Sequence, residues 1–271
     1  MRKILRAEHI YKAYEDKQVL RDISITLGEG ELVSILGVSG VGKTTLFNVL
    51  SGLVSPDKGK IYLRDNTADE KDTGALSDNG AVNVENSGDD FIDITGKTGY
   101  LSYMMQKDLL LPHKTVIENA ALPLILAKMP KKKALEIAGE HFAQFGIDGT
   151  KEQYPSKLSG GMRQRAALLR TYLCGKKVAL LDEPFSALDT ITRVSMQQWY
   201  LEMMKVIRLS SLFITHDVDE AIMLSDRIYI MKGNPAEIVD EIMIEEDKPR
   251  TSDFMLTEKF LEYKRMIRSK L

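Results

Sequence analysis

The alternation of apolar and polar positions divides the chain into short β-like runs at the front and strand–helix alternation behind. Ile4–Ile10 and Val19–Leu27 read as strands, and Glu31–Leu36 follows after the turn at Gly28–Gly30. A further short strand is predicted at Lys60–Leu63. From Thr98 onward the signal changes: the run to Met105 is ordered, residues 115–145 carry a helical period, and Pro123 and Pro130 are expected to interrupt it. A second helical pattern runs from about Gly161 to Leu173. Val178–Leu181 is a fully apolar strand, with two more at Leu212–Ile214 and Arg227–Met231, separated by helical patterns over 190–208 and 217–224. Strands alternating with helices predict an α/β fold with a mostly parallel sheet covered on both faces. Asp253–Leu271 has an amphipathic period and is expected to pack back on the main body rather than bind a partner.

One segment breaks the pattern. From Asp65 to Asp93 the chain is acidic, with little large apolar content beyond Leu76, Val82, Val84, Phe91 and Ile92. Such a stretch buries too little surface to order itself, so residues 65–97 are read as an acidic insertion, either a mobile loop or a small hairpin.

Composition narrows the picture. The chain has 271 residues and a net charge of −2, enough to bury a sizeable core, and nothing suggests nucleic acid held by bulk charge. Cys174 is the single cysteine, which excludes an internal disulfide framework and reads as an inert buried thiol. No stretch has the ~18–20 consecutive apolar residues that span a bilayer, and the start lacks an apolar signal core. A cytoplasmic chain that another polypeptide brings to the membrane is the expected reading.

The chemistry is concentrated in Gly37-Val38-Ser39-Gly40-Val41-Gly42-Lys43-Thr44-Thr45, placed between a strand and a helix. That setting turns a glycine turn with a solvated lysine into a phosphate loop. Gly37, Gly40 and Gly42 are expected to supply backbone angles that turn successive N–H groups inward. The helix start adds its dipole, Lys43 a charge for the β- and γ-phosphates, and Thr44 a hydroxyl suited to Mg²⁺. Downstream, Val178–Leu181 delivers Asp182 to orient the Mg²⁺ shell and Glu183 to polarise a water. Ser159-Gly160-Gly161 precedes a helix and forms either a second anion-binding helix start or a plain N-cap with a flexible turn.

Leu158-Ser159-Gly160-Gly161-Met162-Arg163-Gln164-Arg165, lying between these two motifs, resembles the signature of the nucleotide-binding subunits of ABC transporters. The resemblance covers about residues 3–235. It implies a P-loop NTPase cassette with a RecA-like core, an antiparallel β subdomain and a helical signature subdomain at about 107–162, followed by a short extension over 236–271. By the same resemblance Tyr14, or Tyr11 in its place, stacks on adenine, unless Tyr14 is only a strand-edge residue. Gln106 reaches Mg²⁺ and the attacking water, Ser186–Asp189 links two sites across a dimer, and His216 contacts the γ-phosphate.

Two copies are then expected to enclose two ATP molecules head to tail, each site pairing the phosphate loop of one chain with Ser159–Gly161 of the other. Docking on permease subunits would hold the chain at the inner face of the cell membrane. Residues 107–124 resemble importers of nitrate, sulfonate and taurine, which work with an extracellular solute-binding protein. His113 stands where that group usually has Trp, and the acidic insertion is longer than usual there. The residues after 235 are too few for the large regulatory domain of some sugar and methionine importers. An exporter ATPase, such as one extracting lipids or lipoproteins, and a soluble ABC protein of translation or repair are the other readings.

Overall fold

The computed structural model describes residues 2–64, 90–207, 209–248 and 250–271. Five-residue strands β3 (Leu32–Leu36) and β7 (Val178–Asp182) and the six-residue β8 (Ser210–Thr215) are buried at every position, as central strands covered on both faces are, including the polar Ser210, Ser211 and Thr215 of β8. They pair in parallel, β8 between the other two, and β6 (Ser102–Met104) extends the set beside β7. On the far side, β1 (Lys3–Tyr14) and β2 (Lys17–Gly28) form an antiparallel hairpin, β4 (Lys58–Arg64) adds antiparallel to β1, and β5 (Phe91–Asp93) adds antiparallel to β4. Among the described residues one ten-stranded sheet results, in the order β5-β4-β1-β2-β10-β9-β3-β8-β7-β6, with β9 at Arg227–Gly233 and β10 at Ala236–Met243.

The joint between the two halves is made late in the sequence. β9 (Arg227–Gly233) pairs in parallel with β3, and β10 (Ala236–Met243) returns antiparallel to β9 and meets β2 at Ala236–Leu20. The expected boundary after residue 235 therefore falls inside the β9–β10 turn. Residues 236–243 belong to the sheet: they satisfy the free edge of β9 along its length and bridge to β2 at Ala236.

Helix α1 (Lys43–Leu50) packs Leu46, Phe47, Val49 and Leu50 against the antiparallel strands. A separate core, built on Phe142, Phe145, Leu169 and Phe213, holds α2 (Val116–Leu126), α3 (Lys131–Glu140), α4 (Gly160–Tyr172) and α5 (Thr190–Ile207) together. Thr115 starts α2 with a reciprocal capping box through Glu118. Pro123 does not interrupt α2, contrary to the sequence expectation. Near the end of an 11-residue helix it removes one N–H, and Asn119, the residue a turn before it, is anchored by its side chain to three carbonyls. Only Pro130 marks a break, at the start of α3.

Two further expectations change. Of the acidic insertion, residues 65–89 lie outside the described residues, but Phe91–Asp93 are a strand. Phe91 sits opposite Arg64, so the chain leaves and re-enters the sheet edge at one place. Cys174 is exposed beyond the end of α4, where its thiol points back to the Arg170 carbonyl at 3.5 Å. Among the described residues no helix is long and apolar enough to cross a membrane.

Helix α7 (Glu258–Lys270) does pack back. Phe260, Tyr263 and Ile267 share one face and are buried against α6 (Val218–Leu224) and β10. Arg250, 3% exposed, secures this corner by donating to the carbonyls of Ile222, Met223 and Ser225 at the end of α6 and of Ile244 and Glu246 after β10. A cation at a helix C-terminus is favourable, and its removal leaves several carbonyls buried without donors. Arg250→Ala is therefore expected to lose about 3 kcal/mol of stability, read as a lower urea midpoint. An unchanged midpoint would show that water replaces the guanidinium freely.

Candidate active site

β3 ends at Leu36 and the chain turns through residues 37–42 into α1. Gly42 occupies the helix N-cap with φ +113°, a backbone region open to glycine, and no side chain caps the first N–H groups of α1. Those donors are left for an anion. Gly37 is glycine for a different reason from the one expected. Its backbone is not left-handed, but a Cβ there would lie 2.5 Å from the Met231 carbonyl of β9. Close approach to the sheet, not a special angle, sets that position.

Lys43 is 5% exposed, and its Nζ donates to the carbonyls of Gly37 at 2.8 Å and Val38 at 2.9 Å. Desolvation lowers its pKa, while the carboxylates of Glu183 and Asp182 pull it back up. Across from it, Thr44 Oγ1 donates to Asp182 Oδ2 at 3.1 Å. Asp182 is buried at the C-terminal end of β7, and its pKa is raised chiefly by that burial. A buried carboxylate beside a hydroxyl has the hard-oxygen chemistry that suits Mg²⁺.

Glu183 follows directly, one residue beyond the end of β7. Its φ of +46° is unusual for a residue with a Cβ, and backbone bonds pin it on both sides: its N–H to Ile214 O, and Ser186 N and Oγ to its own carbonyl. The side chain is held at both oxygens. Gln106 Nε2 donates to Oε2 at 3.0 Å, and His216 Nδ1 lies 3.1 Å from Oε1. Gln106 follows β6 and His216 follows β8, so two strand ends on opposite sides of β7 converge on one carboxylate.

These groups share a cleft of about 390 Å³ lined by Ser39, Gly40, Gly42, Lys43, Thr44, Thr45, Gln106, Asp182, Glu183 and His216. Val41 packs inward under the loop against the β-strand core. Tyr14 does not line the cleft; it is 44% exposed at the tip of the β1–β2 hairpin, with Lys12 Nζ 5.5 Å from its ring centre. Tyr11 lies beside Lys58 of β4 instead. Ser159, Gly160 and Gly161 also stand apart from the cleft. Ser159 Oγ accepts from Met162 N at 3.3 Å and caps α4, while Gly160 and Gly161 fit closely against Leu188 and Thr192. Asp189 caps α5 by accepting from Thr192 N.

Tyr103 escapes the sequence reading, yet its hydroxyl lies 3.4 Å from both Asp182 Oδ2 and Asn48 Oδ1. Its place three residues before Gln106, on a strand next to β7, is the available signal.

The fold and this cleft, in which a glycine loop, a lysine and two carboxylates meet, define a P-loop phosphohydrolase. Residues 20–186 match the ABC transporter family, and the chain belongs to it: it is an ATP-binding ATPase. The formylaminopyrimidine import ATP-binding protein ThiZ of Halalkalibacterium halodurans is 37% identical over 251 residues, 92% of this chain and 88% of that protein. The taurine import ATP-binding protein TauB of Escherichia coli is 34% identical over 239 residues, 88% of this chain and 84% of that one. Among solved structures, a dimeric ATP-binding cassette bound to ADP and Pi is similar with TM-score 0.67 at 25% identity, covering 90% of this chain and 100% of that one. The cbiO1 protein of Clostridium perfringens shares the fold with TM-score 0.72 over 98% of this chain and 100% of its own, at 23% identity.

Proposed function

We propose that the chain is the ATP-hydrolysing subunit that energises a membrane permease for uptake of a small solute. The convergence of Gln106 and His216 on Glu183, opposite Lys43 and the bare N-terminus of α1, carries this reading. A water held at Glu183 would face a phosphate bound by the loop, the arrangement that in-line attack needs. Lys43 neutralises charge on the phosphates, Glu183 orients and polarises the water, and His216 and Gln106 keep Glu183 in place. Thr44 and Asp182, with Gln106 nearby, would hold Mg²⁺, which when bound supplies charge neutralisation at the phosphate oxygens. Tyr14 offers its exposed ring to adenine.

Two copies working head to tail fit the separation of Ser159–Gly161 from the cleft: the second helix start serves the partner's nucleotide. The similarity to a dimeric cassette holding ADP and Pi supports this arrangement. Both relatives named above are import proteins, which favours uptake over the exporter reading. They differ in solute, so the small-solute class, with nitrate, sulfonate and taurine among its members, is what carries over.

Reconstitution with the adjacent permease and its solute-binding protein in lipid vesicles tests the reading. ATP-dependent accumulation of taurine, nitrate or a pyrimidine is expected, with ATPase stimulated only by the transported solute. ATP-driven movement in the opposite direction would sink it.

A further inference from the structure

Tyr103 connects three parts of the site that are far apart in sequence. It belongs to β6, pairs with Leu180 of β7, and stands three residues before Gln106. Its ring packs edge-on against Phe47 of α1, centroid to centroid 6.0 Å. Its hydroxyl lies between Asn48 of α1 and Asp182 of β7. A phenol has one proton to give, and the carboxylate is the stronger acceptor, so the proton goes to Asp182 while the Asn48 amide can turn its NH₂ to the phenol oxygen.

Tyr103 and Thr44 address the same atom, Asp182 Oδ2, and leave Oδ1 outside both bonds. Two donors on one oxygen fix the rotation of the carboxylate. The 3.4 Å spacing is longer than a resting O–H···O bond and typical of catalytic contacts before substrate tightens them.

We propose that Tyr103 is a positioning residue: its hydroxyl sets the orientation of the Asp182 carboxylate from the strand that carries Gln106, so that displacement of the Gln106 loop reaches the metal-holding group directly. The proposal rests on the reading of Asp182 as the residue that holds Mg²⁺. Because β6 is an edge strand of only three residues, it is the part of the parallel sheet that yields most readily to a push.

Tyr103→Phe tests this, because it keeps the ring against Phe47 and removes only the hydroxyl. ATP affinity measured calorimetrically in EDTA should stay within about twofold, while the Mg²⁺ concentration for half-maximal ATP binding rises about three- to tenfold, the range for one hydrogen bond to a charged group. A merely structural tyrosine would lower the melting temperature and weaken both affinities together, as Tyr103→Leu is expected to do. Asp182→Asn is the companion measurement. If it raises the Mg²⁺ requirement and Tyr103→Phe does not, the positioning proposal alone is overturned. If neither changes the requirement, the metal reading of Asp182 falls, and the proposal with it.

Discussion

Glu183→Gln should bind ATP within about threefold of the parent and hydrolyse it about 1,000-fold more slowly, a rise of roughly 4 kcal/mol in the barrier. The substitution is nearly isosteric, so the cleft keeps its shape and Lys43 keeps its two loop carbonyls. What changes is the charge and the bonding of one side chain. An amide can accept from Gln106 or face His216 with its oxygen, but not both, and it cannot polarise a water as a carboxylate does. Since ATP still binds and is no longer consumed, the closed dimer should accumulate and be visible by size-exclusion chromatography. Single-turnover rates separate this from slow product release. Turnover within about threefold of the parent would remove Glu183 from the chemistry.

Ser159→Phe should reduce turnover about 100-fold while a single chain keeps its ATP affinity, the loss of an electrostatic contact and of the closed interface together. None of residues 159–161 lines the cleft of its own chain, so the effect must come through a second copy. Phenylalanine also removes the cap on Met162 N, which alone costs about 1 kcal/mol of helix stability. Ser159→Gly controls for that, because glycine is tolerated at an N-cap and does not block the face. Mixing Ser159→Phe chains with Lys43→Ala chains gives a sharper readout. One site of the mixed dimer then has an intact phosphate loop and an intact partner turn, and ATP-dependent pairing should return. If Ser159→Phe hydrolyses ATP at the parental rate as a monomer, the head-to-tail arrangement is wrong.

The parts of the molecule legible in the sequence are those governed by local rules. β3, β7 and the Leu212–Ile214 centre of β8 announce themselves because a strand buried on both faces is largely apolar. The glycine loop, Asp182 and Glu183 follow from strand ends next to helix starts. β10 is not legible. Ala236–Met243 carries Glu237, Asp240 and Glu241 among its apolar residues, and its insertion between β2 and β9 depends on a partner more than 200 positions away. Pro123 misleads because the cost of one missing N–H depends on where in a helix it falls. At Gly37 the residue type is legible and its cause is not, since the crowding comes from Met231, a residue of another strand. Tyr103 carries no motif of its own, and only the folded sheet brings its hydroxyl to Asp182.

The β9–β10 hairpin also dictates an order of events during synthesis. Until residue 236 is made, β9 lacks its antiparallel neighbour and leaves one backbone edge unpaired. Ala236–Met243 then runs along β9 and meets β2 at Ala236, joining the antiparallel strands to the rest of the sheet. The residues that line the cleft, from Ser39 to His216, all precede it in the sequence, so the pocket is translated before the strand that ties the sheet together.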